Sequence, residues 1–336
     1  VKTLICTTPG NFEYGLCAMP ELLPGNVIIK VKKIGICGTD LHAFEGTQPY
    51  FNYPRILGHE LAGEIIAMDR VSGFSTGDIV TVIPYENCGT CIACRSGKPN
   101  CCENIAVLGV HKDGGMLEYL AVPGRLLVHG EGLTLEQLAL VEPLAVSAHG
   151  ISRAGVQSGE YVLVIGAGPI GLAAMEFARI AGAQVIAIDR QEKRLQFAKT
   201  TLGIPHVLDA NSDVATQIKD ITGGDMPTVV VDATGNQKAI NHGIHYLAHG
   251  GRYVLIGLQK ELLMFSHPEF HKRETTLMSS RNATRADFDQ VIHCIKEGQI
   301  RPETYITHRL KFGEVKTVFP SLLDPQSEVI KAIVDI

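Results

Sequence analysis

Apolar and polar positions alternate along the first third of the chain and then give way to continuous apolar runs. Val27–Ile34 alternates as a half-buried strand, and Leu61–Met68, Asp78–Ile83 and Leu117–Val122 read the same way between Gly- and Pro-rich turns. This predicts a loop-rich β region with partly open sheet character. A helix is predicted from about Thr134 through Gly150, opened by Thr134 as N-cap with Gln137 three residues on. From Tyr161 the pattern becomes strand, glycine turn, helix, strand: Tyr161–Ile165, Pro169–Ala181, Gln184–Ile188 and Gln191–Leu202. Further strands are predicted at Thr228–Asp232, Arg252–Ile256 and Thr276–Ser280, with helices around Gln237–Ala248 and Thr284–Glu297. Apolar strands alternating with helices imply a parallel sheet covered on both faces. The tail from about Thr304 ends in a strand-like Glu328–Val334, which is expected to rejoin the N-terminal β region and make that domain discontinuous.

A chain of 336 residues exceeds one ordinary core. The expected division is 1–150 with 285–336 for the β-rich domain and 151–284 for the α/β domain. A net charge of −5 gives no electrostatic reason to expect nucleic acid. The longest apolar stretch, Tyr161–Met175, holds three glycines and a proline and does not read as a membrane span. Nine cysteines with no basic-then-apolar leader favour thiols and metal ligands over a disulfide framework, and so a cytoplasmic protein. Cys6, Cys17 and Cys294 are expected as small core residues.

Four of the cysteines carry chemistry. Cys88, Cys91, Cys94 and Cys102 follow C-x2-C-x2-C-x7-C, a spacing that lets four thiolates reach one tetrahedral zinc from a single loop. Such a closed set leaves no position for substrate, so the predicted role is structural. Cys101 stands beside Cys102 as a competitor for the fourth position.

Gly166-Ala167-Gly168-Pro169-Ile170-Gly171 follows an apolar strand and opens a helix, the context in which a G-x-G-x-x-G run has a mechanism. The glycines allow a tight turn, backbone approach to a pyrophosphate and close helix–strand packing. Asp189 ends the next strand, 18 residues beyond Gly171, where a carboxylate accepts from an adenosine ribose. It favours NAD over NADP; Arg190 and Arg194 nearby blur that preference.

A second metal-type set lies upstream: Cys37, Thr39, Asp40 and His42 in GICGTDLH, then His59 and Glu60 in GHE. A thiolate with an imidazole suits catalytic zinc, with a carboxylate from Glu60 or Glu142 to add. Glu142 interrupts an apolar helix, where a charge is costly unless paired or metal-bound. Singly, each residue has an ordinary alternative: a core thiol for Cys37, a hydrogen-bonded core histidine for His59, a helix-end ion pair for Glu142.

Together these pieces resemble the zinc-dependent medium-chain dehydrogenases over nearly the whole length. The carriers are GICGTDLH at 35–42, GHE at 58–60, the four-cysteine lobe, VEPLAVSAH at 141–149 and GAGPIG at 166–171. The GHE and the EP helix point to the sorbitol/threonine dehydrogenase branch. Segments 97–115, 232–237, 265–276 and 279–284 are similar to the bacterial sugar-acid dehydrogenases, of L-galactonate 5-dehydrogenase and starvation-sensing RspB type.

The resemblance implies a GroES-like catalytic domain plus a Rossmann domain, two zinc ions per chain and NAD. It implies catalytic zinc on Cys37 and His59, with Glu60 and Glu142 as carboxylates that exchange with water. Zinc would lower the pKa of a secondary alcohol, the nicotinamide would take the hydride, and Thr39 with His42 would carry the proton out through the cofactor ribose. Asp40 would orient His59. Thr234, Arg281, Asn282 and Lys331 are implied around the cofactor, Lys331 at the pyrophosphate. Arg281 and Asn282 are also candidates for a sugar-acid carboxylate, with His111, Lys112 and Asp113 as alternatives. Subunits would pair along Tyr253–Phe265, giving a homodimer or homotetramer. The expected activity is NAD-dependent oxidation of a sugar acid or polyol. A threonine-type substrate is one alternative, and a catalytically silent NAD-binding sensor is another.

Overall fold

The computed structural model describes residues 1–49 and 51–336. The chain divides into two compact units, Val1–Pro143 with Thr284–Ile336, and Leu144–Ala283. The first boundary therefore falls at 143 rather than 150, and the last at 283 rather than 284.

In the first unit one sheet runs in the order Leu127–His129, Ile79–Val82, Glu60–Met68, Asn26–Ile36, Lys331–Asp335, Ile306–Lys311. Asn26–Ile36 is its organising strand, with 11 residues and two partners on one side. Its first half pairs with Tyr119–Pro123 and its last residues with the C-terminal strand, Ile36 opposite Ala332. On its other side it pairs antiparallel with Glu60–Met68, Gly35 opposite Glu60. The tail thus closes the N-terminal sheet. A smaller sheet joins Lys2–Thr8 to Asn11–Leu16 and Arg55–Ile56, and Tyr85–Glu86 pairs with Ala106–Val107.

Thr134 caps as its spacing predicts, accepting from the Gln137 N–H while the Gln137 side chain accepts from the Thr134 N–H. The single helix expected from 134 to 150 is instead two, Leu135–Ala139 and Val141–Ala154, interrupted at Leu140.

The second unit is a six-stranded sheet in the order His206–Asp209, Gln184–Asp189, Tyr161–Ile165, Val229–Asp232, Arg252–Leu255, Thr276–Ser279. Every pairing in it is parallel. This is the doubly wound order, in which the chain reverses direction beside the first strand and opens a crevice at the carboxyl ends. Leu163, Ile165, Ile186, Val230 and Tyr253 pack its core, and the Tyr253 hydroxyl donates to the Ile240 carbonyl at 2.9 Å. His206–Asp209 and the helix Val214–Ile221 were not among the expected elements. That strand is only four residues long, follows Pro205, and leads into a polar turn, so it carries little periodicity. No helix is long and apolar enough to cross a membrane.

Candidate active site and cofactor turn

Three adjacent strand ends build the first site. Antiparallel pairing brings the end of Asn26–Ile36, and with it Cys37, beside the start of Glu60–Met68 and the start of Lys331–Asp335. Ligand atoms of Cys37, His59 and Glu60 lie within 4.8 Å of one another. His59 and Glu60 are buried. Gly35 makes room for the carboxylate: a Cβ there would fall 1.9 Å from Oε2 of Glu60.

Asp40 ties the two metal-type loops together. Its Oδ2 accepts from the Cys37 N–H at 2.9 Å, capping the helix Gly38–Glu45, and its Oδ1 accepts from the Gly58 N–H at 3.1 Å. The expected bond from Asp40 to His59 is not formed, since Oδ1 stands 3.8 Å from Nδ1. Asp40 fixes the backbone on either side instead. His59 Nδ1 is buried with no hydrogen-bond partner among the described residues, an arrangement that costs about 1–3 kcal/mol. Burial by itself lowers the His59 pKa, but Cys37 and Asp40 outweigh it and hold the ring well above its ordinary range. A half-buried thiol converging with a buried imidazole and carboxylate, one imidazole nitrogen unsatisfied, fits zinc.

Glu142, in the first turn of Val141–Ala154, does not fall within that close set. Its carboxylate accepts from the buried Tyr85 hydroxyl. Burial pushes the Glu142 carboxyl up to about 7, against the pull of His59. Tyr85 is a site residue that sequence reasoning missed. A glutamate in an apolar helix demands a donor, but nothing in the sequence says which distant side chain supplies it.

Lys331 is a correction. It is buried, and its ammonium donates to both Glu60 oxygens, at 2.6 and 2.8 Å, and to the Ile36 carbonyl at 3.1 Å. All three of its donors are committed inside the first unit, so it is not a pyrophosphate ligand. Burial lowers its pKa, but Glu60, Cys37 and Glu142 together outweigh that and raise it above its ordinary value. A lysine opening the strand KAIVD, directly before the apolar run Ala332–Val334, was the available signal that a buried acid faces it.

Thr39 is half-buried and His42 exposed on the same short helix. His42 Nδ1 lies 3.1 Å from the Thr47 hydroxyl and 3.4 Å from Glu45. Three alternative substrate contacts are engaged elsewhere. Asp113 accepts from the Ile56 N–H at 3.0 Å, His111 Nδ1 accepts from the Val107 N–H at 3.1 Å, and Lys112 pairs with Glu86.

The four-cysteine lobe also converges. The sulfurs of Cys88, Cys91, Cys94 and Cys102 lie within 4.8 Å of one another. Cys91 and Cys94 sulfurs are 3.4 Å apart, as are those of Cys88 and Cys102. Four sulfurs each about 2.3 Å from a tetrahedral zinc stand about 3.8 Å apart, so little rearrangement is required. Hydrogen bonds from Thr90 and the Cys91 N–H lower the Cys88 thiol to about 5. Cys101 is exposed and outside the cluster, and Cys17, expected in a core, is exposed as well.

In the second unit the glycine turn follows Tyr161–Ile165 and opens the helix Pro169–Ile180. Gly166 takes φ +101°, and a Cβ on Gly171 would fall 1.7 Å from the Gly166 carbonyl oxygen. At Gly168, by contrast, the nearest atom to an added Cβ is Arg194 Nη1 at 3.6 Å. That open side, at a helix start with no side-chain cap, presents free N–H groups to an anion. Pro169 and Ile170 form the first helical turn. Asp189 accepts from the Ala167 N–H at 2.6 Å and the Gln191 N–H at 2.8 Å, which holds its carboxylate at the turn. Arg190 is exposed. Thr234 is anchored to Asp232, its hydroxyl donating at 2.8 Å. Arg281 is exposed and Asn282 takes φ +54°, both just after Thr276–Ser279.

Comparison with known proteins identifies the family. Residues 23–131 match the alcohol dehydrogenase GroES-like domain, and residues 169–297 match the zinc-binding dehydrogenase domain. The chain is 43% identical to L-galactonate-5-dehydrogenase of Escherichia coli K12, over 99% of this chain and 98% of that one. It is 32% identical to sorbitol dehydrogenase of Halalkalibacterium halodurans, over 99% and 98%. The crystal structure of RspB from Escherichia coli CFT073, complexed with NADH, superposes with a TM-score of 0.91 at 31% identity, covering 100% of this chain and 99% of that one. The chain thus carries a GroES-like unit, which holds both metal-type clusters, and a Rossmann unit, which holds the phosphate turn. The chain belongs to the zinc-dependent medium-chain alcohol dehydrogenases and is an oxidoreductase whose cofactors are zinc and NAD.

Proposed function

We propose that this chain oxidises a secondary hydroxyl of a sugar acid of the L-galactonate kind, with NAD+ as hydride acceptor. The observation that carries the reaction site is the convergence of Cys37, His59 and Glu60 beside Glu142. The similarity to L-galactonate-5-dehydrogenase over the full length favours the sugar acid. When bound, zinc supplies the Lewis acidity that makes the substrate hydroxyl acidic, and NAD accepts the hydride.

The chain's own residues do the rest. Cys37 and His59 hold the metal, and Glu60 and Glu142 offer it carboxylates. Asp40 keeps the Cys37 and Gly58 backbones in register. Thr39 Oγ1 accepts the hydroxyl proton as it releases its own toward the His42 imidazole. His42, three residues on and so on the same helix face, passes it to water; its side chain is 61% exposed. The Gly166–Gly171 turn binds the pyrophosphate, Asp189 the ribose, and Thr234 the adjoining loop. Arg190 and Arg194 border that pocket. Arg281 and Asn282 offer a guanidinium and an amide to the cofactor or the sugar-acid carboxylate. Cys88, Cys91, Cys94 and Cys102 hold the second zinc as a staple. Leu258, Leu262 and Met264 are exposed within Tyr253–Phe265 and support that stretch as the face where subunits pair.

A panel of sugar acids, polyols and L-threonine, each followed by NADH absorbance, tests the substrate. Oxidation of L-galactonate with kcat/KM well above sorbitol is expected; turnover of polyols alone would remove the sugar-acid reading. Cys37→Ser is expected to abolish turnover and spare NAD binding.

A further inference from the structure

We infer that Tyr85 is a positioning residue that holds Glu142 in reserve, outside the resting metal set of Cys37, His59 and Glu60. The inference rests on the proposal that Cys37 and His59 bind the catalytic metal.

The two glutamates at this site are tethered differently. Glu60 lies within the close set even while its oxygens accept from Lys331. Glu142 lies outside that set, its Oε1 accepting from the Tyr85 hydroxyl. Tyr85 is well placed to hold such a group. Its backbone is fixed by pairing with Val107, and its ring meets Phe288 edge-on at 6.5 Å between centroids. Tyrosine and glutamate are both buried, at 5% and 4% exposure, so water offers the carboxylate little competition for that donor. A neutral hydroxyl is a weaker tether than an ammonium. Glu142 is therefore the carboxylate that can be released to the metal and recaptured, and Tyr85 sets the balance.

Removing the hydroxyl removes the competitor. In Tyr85→Phe the buried carboxylate has lost its donor, and the metal becomes its best remaining partner. The test uses full-length protein with cobalt(II) exchanged into the catalytic site. Tyr85→Phe is expected to move the ligand-field bands of that cobalt and to slow its removal by a chelator about tenfold, the change that corresponds to one charge-assisted hydrogen bond. Adding Glu142→Gln to Tyr85→Phe is expected to restore the wild-type spectrum. Glu142→Gln alone should leave the resting bands unmoved, because Glu142 is not a resident ligand. Unchanged bands and chelation rate in Tyr85→Phe would overturn the inference, and so would shifted bands in Glu142→Gln alone. Cobalt bands that persist in Cys37→Ser would instead defeat the underlying assignment of the metal site.

Discussion

Lys331 Nζ stands 2.6 and 2.8 Å from the two carboxylate oxygens of Glu60, and both residues are buried. Strand pairing enforces the meeting, since both strands flank Asn26–Ile36. Breaking a buried pair from one side leaves a bare charge in an apolar place. Lys331→Met is expected to destabilise the protein by about 3–5 kcal/mol. The double variant Glu60→Gln/Lys331→Met should recover much of that loss. Urea denaturation midpoints of the two variants check it. The Lys331 pKa is raised above the ordinary 10.5. The pair's contribution is therefore complete below that value and lost as pH rises through the folded one.

The four-cysteine lobe is separable from the reacting site. Cys91→Ser removes one thiolate from a set whose sulfurs already converge. It is expected to halve the zinc content, lower the melting temperature and open the 88–102 loop to proteolysis. Metal analysis with limited proteolysis tests this; a full zinc complement would contradict it.

Glu136 accepts two bonds from Arg309, each 2.9 Å, and lies 3.5 Å from Lys33. The Arg309 guanidinium holds the Glu136 carboxyl below its usual range. A depressed acid contributes stability above its unfolded value of 4.5, and that contribution falls away as pH drops through the folded value. Because both side chains are partly exposed, Glu136→Gln is expected to cost about 1 kcal/mol at pH 7. The gap between wild type and variant should narrow as pH falls below 4.5, as read by thermal melts at pH 7 and along an acid series.

Asp189 is held at the phosphate turn by the Ala167 and Gln191 N–H groups. Asp189→Ser removes the charge that repels a 2′-phosphate and leaves Arg190 and Arg194 nearby. The KM for NAD is expected to rise about 10–100-fold while that for NADP falls. Steady-state kinetics with both cofactors decide it.

Local pattern was enough for much of this protein. Glycine spacing, the Asp189 position and the C-x2-C-x2-C-x7-C run are short-range features, and each works through residues that lie close together along the chain. The same holds for the Thr134 cap and for most strands of the second unit, whose apolar runs report their own burial. His206–Asp209 escaped because four residues carry too little periodicity to stand out.

Partners far apart in sequence were another matter. Lys331 meets Glu60 across 271 residues and Tyr85 meets Glu142 across 57. Chain composition shows that a buried acid needs a donor, but strand order alone chooses which donor arrives. Asp40 makes the same point at closer range, since only folded geometry decided that its oxygens reach the Cys37 and Gly58 amides rather than the His59 ring. Local sequence pattern is enough to say which chemical groups this protein possesses and which backbone turns they sit on. Tertiary structure decided their pairing, because burial makes every unpaired charge expensive and sheet topology limits which partners can answer it.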